Sequence, residues 1–526
     1  MRETVTTSKR LIHNTFYNVL MLMSNAVVAF LLIRFFLGRL GETRYGVWVL
    51  IGSIFRYRGI LSMGLNSAIN RRIPMYLAQH DEQGVERVVS TAALFYSILA
   101  VVLVLLTVLF SVKIGDWFAI EPELVRTASL LVLIVGLGFA ASTPLQLTTA
   151  VLSGLQRYDV ISIVTLAVMA VKTTLLVVLL LRGYGLLTLG LIYGAAEVVA
   201  RGLQYGVARR LLPRASISWK RVDGGLLKEM LFYGMNTFLY ATGALIVYRA
   251  SETIVGIFLG TAEVAQFSVA AAGVLLLSQF LQAFTAAIKP AVSDLDARDD
   301  HGRVRQIAFL TQKYSLLVLI PAACFLIAMG REFLTVWVGH KIQAPATIAS
   351  MAGVLTILTV AHGLMLTQHS NFLVLAGRGE HKIFGVLTAL EAIGCVAGSV
   401  FAVRVLGWGL EGIAWGNLAP MAIVAGLILP VYFNRKMRIP VRDSLRHVWW
   451  PAGLGSLAGV ATILSWKLLS PPESWFELFA VVVSAVAATV LSAWFVSLKP
   501  DERRRLRAVL HRSGSSGETN EISTNG

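Results

Sequence analysis

Apolar runs of about twenty residues recur from one end of this chain to the other, and no other feature restricts its fold as much. Each run is long enough to span a hydrocarbon core of about 30 Å at 1.5 Å per helical residue. In oil every backbone N–H and C=O needs an internal partner, which leaves only helices or a closed barrel. The runs lack the two-residue alternation of barrel strands, so they read as helices. A length of 526 residues would otherwise suggest several soluble domains, but a chain that is 56% apolar and 14% charged is a polytopic, all-α membrane protein. The first run, Leu11 to Leu37, is too long for a cleavable signal peptide and lacks a small-residue cleavage site, so it reads as the first transmembrane helix.

Fourteen spans are expected. Six fall roughly at 11–37, 45–68, 88–112, 124–152, 160–181 and 185–208, and six more at 229–256, 264–289, 307–329, 346–376, 383–406 and 410–433. Two further spans lie near 448–468 and 474–498. The domain reading is therefore an N-terminal six-helix bundle (1–225), a second six-helix bundle (226–440), two additional helices (441–498) and a tail (499–526) that becomes Ser/Gly-rich and disordered. Of the 46 Lys and Arg, 31 fall on one set of alternate connections and their flanks, nine on the other set and six within spans. That asymmetry places both termini in the cytoplasm. It also accounts for the net charge of +17 without nucleic acid as a partner.

The chain repeats itself. Asp81, Gly84, Arg87, Tyr96 and Ser97 recur as Asp299, Gly302, Arg305, Tyr314 and Ser315, all at one offset. Phe16-Tyr17 matches Phe232-Tyr233, and Gly183-Tyr184-Gly185-Leu186 matches Gly407-Trp408-Gly409-Leu410. Six spans per repeat is an even number, so both halves enter the membrane in the same direction. A pseudo-twofold axis along the membrane normal, with a cavity between the bundles, follows from that arrangement.

No catalytic constellation stands out, so the chain does not read as an enzyme. Its nine His show no metal-ligand spacing, and there is no nucleophile elbow or Walker loop. Cys324 and Cys395, far apart within spans, support neither a disulfide framework nor a metal site, and no cofactor is implied. Gly407-Trp408-Gly409-Leu410-Glu411-Gly412 fits a dinucleotide-binding pattern, but it lies in a turn between membrane helices with no preceding strand, so a tight interhelical turn is the better reading.

Several short motifs occur in a telling order: Arg34-Phe35-Phe36-Leu37-Gly38, Tyr45-Gly46-Val47-Trp48, Gly64-Leu65, Arg71, and Asp81-Glu82-Gln83-Gly84 running into Ser90. Gly154-Leu155-Gln156-Arg157-Tyr158, Gly256-Ile257-Phe258-Leu259-Gly260, Pro290 and Trp337-Val338-Gly339 continue the series. Over roughly residues 10–435 the chain resembles the oligosaccharide flippase (polysaccharide transporter) family of the multidrug/oligosaccharidyl-lipid/polysaccharide (MOP) exporter superfamily. The resemblance implies alternating-access movement of an undecaprenyl-diphosphate-linked glycan across a bacterial inner membrane, with membrane lipids and glycan-synthesis enzymes as partners. Fourteen spans also resemble the lipid II flippases of that superfamily, and its drug exporters are a further relative. The rival readings are a cation-coupled drug exporter, a membrane glycan polymerase or ligase, and a non-transporting scaffold. Short outer connections count against the polymerase, which would need an external domain.

An anionic headgroup needs a cationic route, and a charge facing lipid at mid-membrane costs at least about 2.5–3.5 kcal/mol, so buried charges seek a cavity or a partner. The intramembrane cations are Arg34, Arg56, Arg58, Lys172, Arg201 and Arg249, and they outnumber the clearest intramembrane acids, Glu197, Glu252 and Glu391. Lys172 lies roughly 18 Å into its span, too deep for easy snorkelling. Arg56 and Arg58 are comparably deep but about 200° apart on a continuous helix, which keeps them from facing one cavity together. Arg34, near a span end, is placed to snorkel. Glu197–Arg201 and Arg249–Glu252 have the spacing of pairs within one helix. Glu391, without a local partner, is the candidate for proton or sodium coupling, with Glu252 second. Asn25, Gln146, Asn236, Gln279 and Gln282 suit helix-joining hydrogen bonds better than sugar binding. Asp81 to Arg87 and Asp299 to Arg305 read as solvated loops. Tyr45, Trp48, Trp117, Trp449 and Trp450 read as interfacial anchors.

Overall fold

In the computed structural model, residues 2–212, 217–286, 288–342, 344–380 and 382–504 are described, with side chains at all of these except 2–19, 236 and 237. The first half contains α1 (Arg2–Leu40), α2 (Glu42–Arg56), α3 (Arg58–Leu61), α4 (Leu65–Ala78), α5 (Glu82–Trp117), α6 (Pro122–Ser142), α7 (Gln146–Gly154), α8 (Tyr158–Leu181) and α9 (Leu186–Leu211). The second contains α10 (Gly224–Phe258), α11 (Thr261–Thr285), α12 (Ile288–Asp296), α13 (His301–Ala328), α14 (Gly330–Val338), α15 (Pro345–Thr367), α16 (His369–Gly377), α17 (Lys382–Arg404), α18 (Gly409–Ile423) and α19 (Leu429–Lys436). The appended pair is α20 (Val441–Ser444) running into α21 (Trp450–Leu469), then α22 (Trp475–Ser492). Among the described residues thirteen helical stretches are long and apolar enough to cross a membrane. The fourteenth crossing is made in three pieces, α2 to α4. The result is two six-helix bundles in parallel repeat plus two C-terminal helices.

The outside of this assembly is apolar, as lipid contact requires. Leu105, Leu175, Leu390, Ile393 and Val490 all project exposed side chains. The repeat is visible in matching turns. His80 takes a left-handed backbone (φ 55) and Asp81 then caps α5, accepting from the Gly84 N–H at 2.7 Å. In the second half Asp299 takes the same backbone (φ 55) and Asp300 caps α13 through the Arg303 N–H at 3.0 Å. Asp81 therefore corresponds to Asp300, one place beyond the sequence match with Asp299, because the left-handed residue precedes the cap in both halves. A side-chain oxygen here satisfies an otherwise orphaned helix N–H. The side chains of Phe16-Tyr17 lie outside the described residues.

The seam between the halves runs along α2–α4 against α10 and α11, and glycine sets its closeness. A Cβ on Gly46 would stand 1.6 Å from the Thr261 carbonyl oxygen. Gly64 (φ 72) and Gly234 face each other, and a Cβ on either would meet the other's carbonyl oxygen at 2.5–2.6 Å. Bare backbone lets helices approach this closely. Cross-half hydrogen bonds from Gln266 to Glu42 (2.9 Å) and from the Ala119 N–H to the Gly256 carbonyl (2.9 Å) join the face opposite the basic connections.

The appended helices are fixed to the second half at both ends. Lys467 on α21 pairs with Glu332 on α14. At the basic face the buried Lys313 ammonium on α13 donates to both carboxylate oxygens of Glu502 (2.8 and 2.9 Å) and to the Ser497 carbonyl (3.3 Å).

Candidate functional site

A cavity of about 720 Å³ lies between the halves, and α1, α2, α3, α4, α6, α7, α9, α10 and α11 contribute to its wall. Its polar lining is dominated by Arg56, Arg58, Arg201 and Arg249, with Glu252. The helix breaks at Tyr57, between α2 and α3, so the continuous-helix geometry that set Arg56 and Arg58 about 200° apart does not hold. Both line the one cavity.

The four arginines form two clusters of like composition. In the first, Glu252, whose side chain is only 4% exposed, pairs with Arg56 from the other half and through Oε1 with Arg249 Nη1 at 3.4 Å. In the second, Glu197 Oε1 accepts from Arg58 Nη2 (3.2 Å) and from Arg201 Nη2 (3.2 Å). The two helical spacings seen in the sequence are thus real pairs, each joined by a third residue from elsewhere. Arg201 also donates to Thr149 and to Gln204 Oε1 (3.3 Å), and the Thr149 hydroxyl donates to Gln204 at 2.6 Å. The Arg58 guanidinium lies 3.7 Å over the Phe139 ring, and its Nη1 has no hydrogen-bond partner among the described residues. Four guanidinium groups against two carboxylates leave the cavity with two positive charges in surplus.

The remaining sequence candidates divide between the cavity wall and places outside it. Lys172 sits with its ammonium 4.2 Å over the Tyr193 ring; Tyr193 lines the cavity and Lys172 stands behind it. Arg34 is half-buried toward the far end of α1 from the N-terminus. Glu391 on α17 is buried at 1% exposure, and neither carboxyl oxygen has a hydrogen-bond partner among the described residues. Gln146 and Gln279 line the cavity; Gln282 donates to Ser278 (3.0 Å), Asn25 to the Met21 carbonyl (2.8 Å), and the Asn236 side chain lies outside the described residues. Tyr45 and Trp48 are not surface anchors: Tyr45 is buried, and both line the cavity, Trp48 edge-on to Tyr193 at 4.7 Å. Trp117, Trp449 and Trp450 are exposed. Thr149, Gln204 and Asn66 were not singled out by the sequence, and single polar residues in apolar helices carry no spacing signal that would have found them.

Beside the cavity runs a second, larger hollow of about 1060 Å³ with an almost wholly apolar wall. Its sides come from α1, α11, α13 and the appended α22, and it meets the charged cavity at Ala26, Phe30 and Leu276, which line both. The Phe30 ring stacks on Trp337 at 4.3 Å, at this junction.

The fold of two parallel six-helix bundles around a central cavity is that of MOP-superfamily transporters. The structure is similar to one described as the inward-facing conformation of a multidrug resistance MATE family transporter of that superfamily (TM-score 0.64, 16% identity, 81% of this chain and 94% of that one). The outward-facing conformation of a multidrug resistance MATE family transporter gives 0.57 at 16% identity, over 82% and 94% of the two chains. A MOP superfamily transporter from Pyrococcus furiosus, whose binding pocket is described as of reverse polarity, gives 0.53 at 14% identity, over 81% and 95%. At these identities the likeness shows the fold alone. No curated protein matches the sequence significantly. A family model described as polysaccharide biosynthesis protein matches residues 36–345, more than half of the chain. The chain belongs to that family, and it has the fold of MOP-superfamily transporters.

Proposed function

We propose that this transporter is a flippase for an undecaprenyl-diphosphate-linked oligosaccharide, working by alternating access in a bacterial inner membrane with its basic face and both termini in the cytoplasm. One observation carries the reading: a cavity walled by two arginine clusters with a surplus of two positive charges adjoins, at Ala26, Phe30 and Leu276, an apolar groove. A diphosphodiester carries two negative charges, and arginine forks fit phosphate oxygens bidentately. A polyprenyl chain needs a dry, apolar bed beside that headgroup, which the groove supplies. Outward movement of negative charge is favoured by an inside-negative potential by about 2.3 kcal/mol per charge per 100 mV, which would give direction without nucleotide hydrolysis. The glycan-synthesis enzymes that make and use such a substrate are the expected partners.

A cation-coupled exporter of amphipathic molecules is the second reading, and buried, unpaired Glu391 is the observation in its favour. In the flippase reading the same residue is the place for proton or sodium coupling, since Glu252 is already held by two arginines. The readings separate in proteoliposomes offered either a fluorescent polyprenyl-diphosphate glycan or cationic dyes. The flippase reading expects glycan translocation by the wild type and its loss in Arg56→Ala and Arg201→Ala. Unchanged translocation in both variants, in well-folded protein, would overturn it.

A further inference from the structure

We propose that Glu252 is a built-in competitor for the substrate's diphosphate: it clasps Arg56 across the two halves until phosphate takes that guanidinium, and losing the clasp lets the halves part. This rests on the reading of the cavity as a diphosphate site and goes on to say how occupancy of that site is felt by the fold.

Four features support the assignment. Arg56 belongs to α2 in the first half and Glu252 to α10 in the second, so this ion pair spans the seam at the cavity wall. Its neighbours on α2 and α10 are neutral contacts, Ser53 to Thr253 (3.0 Å) and Tyr57 to Thr253 (3.4 Å). A second cross-half ion pair, Arg72 to Glu229 (2.6 Å), lies farther along the seam on α4 and α10, with Glu229 exposed. Arg56 is the most exposed of the four cavity arginines (36%, against 22–24%), so its guanidinium is the one an incoming anion reaches most readily. Arg249, three residues from Glu252 on the same helix and 3.4 Å away, remains as a partner once Arg56 leaves. That last point decides whether the exchange can happen. A carboxylate stripped of its only cation inside the membrane would cost several kcal/mol, whereas one that keeps a cation does not meet that penalty. A diphosphate offers more oxygens and more charge to a guanidinium than a carboxylate does, so it wins the exchange when both are in reach.

The second cluster is an internal control. Glu197, Arg58 and Arg201 have the same composition, but all three belong to the first half. Neutralising Glu197 should free arginines for phosphate without touching the seam.

The test uses full-length protein in nanodiscs, in a Cys324→Ser, Cys395→Ser background spin-labelled at Glu123→Cys and His340→Cys. Inorganic pyrophosphate serves as the soluble probe and farnesyl diphosphate as the lipid-borne one. Glu252→Gln should bind both probes more tightly, by roughly ten-fold or more, because a charge-assisted competitor is gone. It should also shift the inter-label distance towards the pyrophosphate-bound distribution without any ligand. Glu197→Gln should gain affinity but keep the wild-type distances. Arg56→Gln should reproduce the distance shift while losing affinity, and it carries the test if Glu252→Gln fails to fold. Wild-type affinity in Glu252→Gln, or unshifted distances in both clasp variants, overturns the competitor role. If wild-type protein binds neither probe, the diphosphate reading of the cavity fails first, whatever the clasp does. Binding of farnesyl diphosphate but not pyrophosphate assigns the exchange to the lipid-borne group and leaves the clasp arms to be read with that probe.

Discussion

The two halves share one backbone plan yet place different chemistry inside it. The first half holds a half-buried charged cluster, Arg58–Glu197–Arg201, tied into Thr149 and Gln204. The second half buries neutral polar groups, with His362 beside Tyr248 (5.0 Å between rings) and Asn371 bonded to Gln368 (2.9 Å), and two acids of different standing: Glu252 is ion-paired, whereas Glu391 has no hydrogen-bond partner among the described residues. A repeated fold fixes where helices run and where a cavity opens. Under the proposed function, which half would handle an anion is decided by a few side chains set into that frame. The cluster at Glu252 joins the two systems, because it draws Arg56 from one half and Arg249 from the other.

This division of labour can be broken at several points. The largest effect is expected from Arg58→Ala combined with Arg201→Ala, which leaves Glu197 half-buried without its cations. Glycan translocation in proteoliposomes should fall by roughly 100-fold, two charge-assisted contacts being lost. Translocation near the wild-type rate would mean that the charged half does not carry the headgroup. Gly46→Val comes next: its side chain would overlap the Thr261 backbone at the closed face, and a loss of about 3 kcal/mol is expected. A melting curve in detergent measures it, and an unshifted midpoint would contradict the seam. Glu391→Gln sharpens the contrast from the other side. Pyrophosphate binding should stay within about two-fold of wild type, since no ion pair is removed, while any dependence of transport on an imposed proton or sodium gradient should vanish. A collapse of binding would show the second half taking part in anion recognition. The smallest effect belongs to Lys467→Met, which removes one of the ion pairs that fix the appended helices. A part-exposed pair of this kind is worth about 1 kcal/mol, visible as a slight fall in thermal midpoint with cavity binding intact.

Much of the frame was legible in the sequence because hydrocarbon leaves a chain so few choices. Run length gave the spans, and paired motifs gave the repeat. Glu197–Arg201 and Arg249–Glu252 were legible because helical spacing puts them on one face. Their third members were not. Arg56 and Glu252 are 196 positions apart and meet only through the packing of α2 on α10, and the break at Tyr57 that turns Arg58 into the same cavity has no proline to announce it. Tyr45 and Trp48 misled for a related reason. An aromatic near a span end suits the lipid interface, but the same position facing inward lines a cavity, and a single sequence does not distinguish the two faces.

The apolar groove has one wall on α1, in the first half, and the opposite wall on α13 and α22, which the ion pairs of Lys313 and Lys467 tie to the second. A slot whose jambs belong to two different bodies has no fixed width: swinging one body against the other pinches or widens it. Under the proposed alternating access, entry from the side and entry from above would be one motion, and a guest lodged in that slot would feel the pose of the whole molecule.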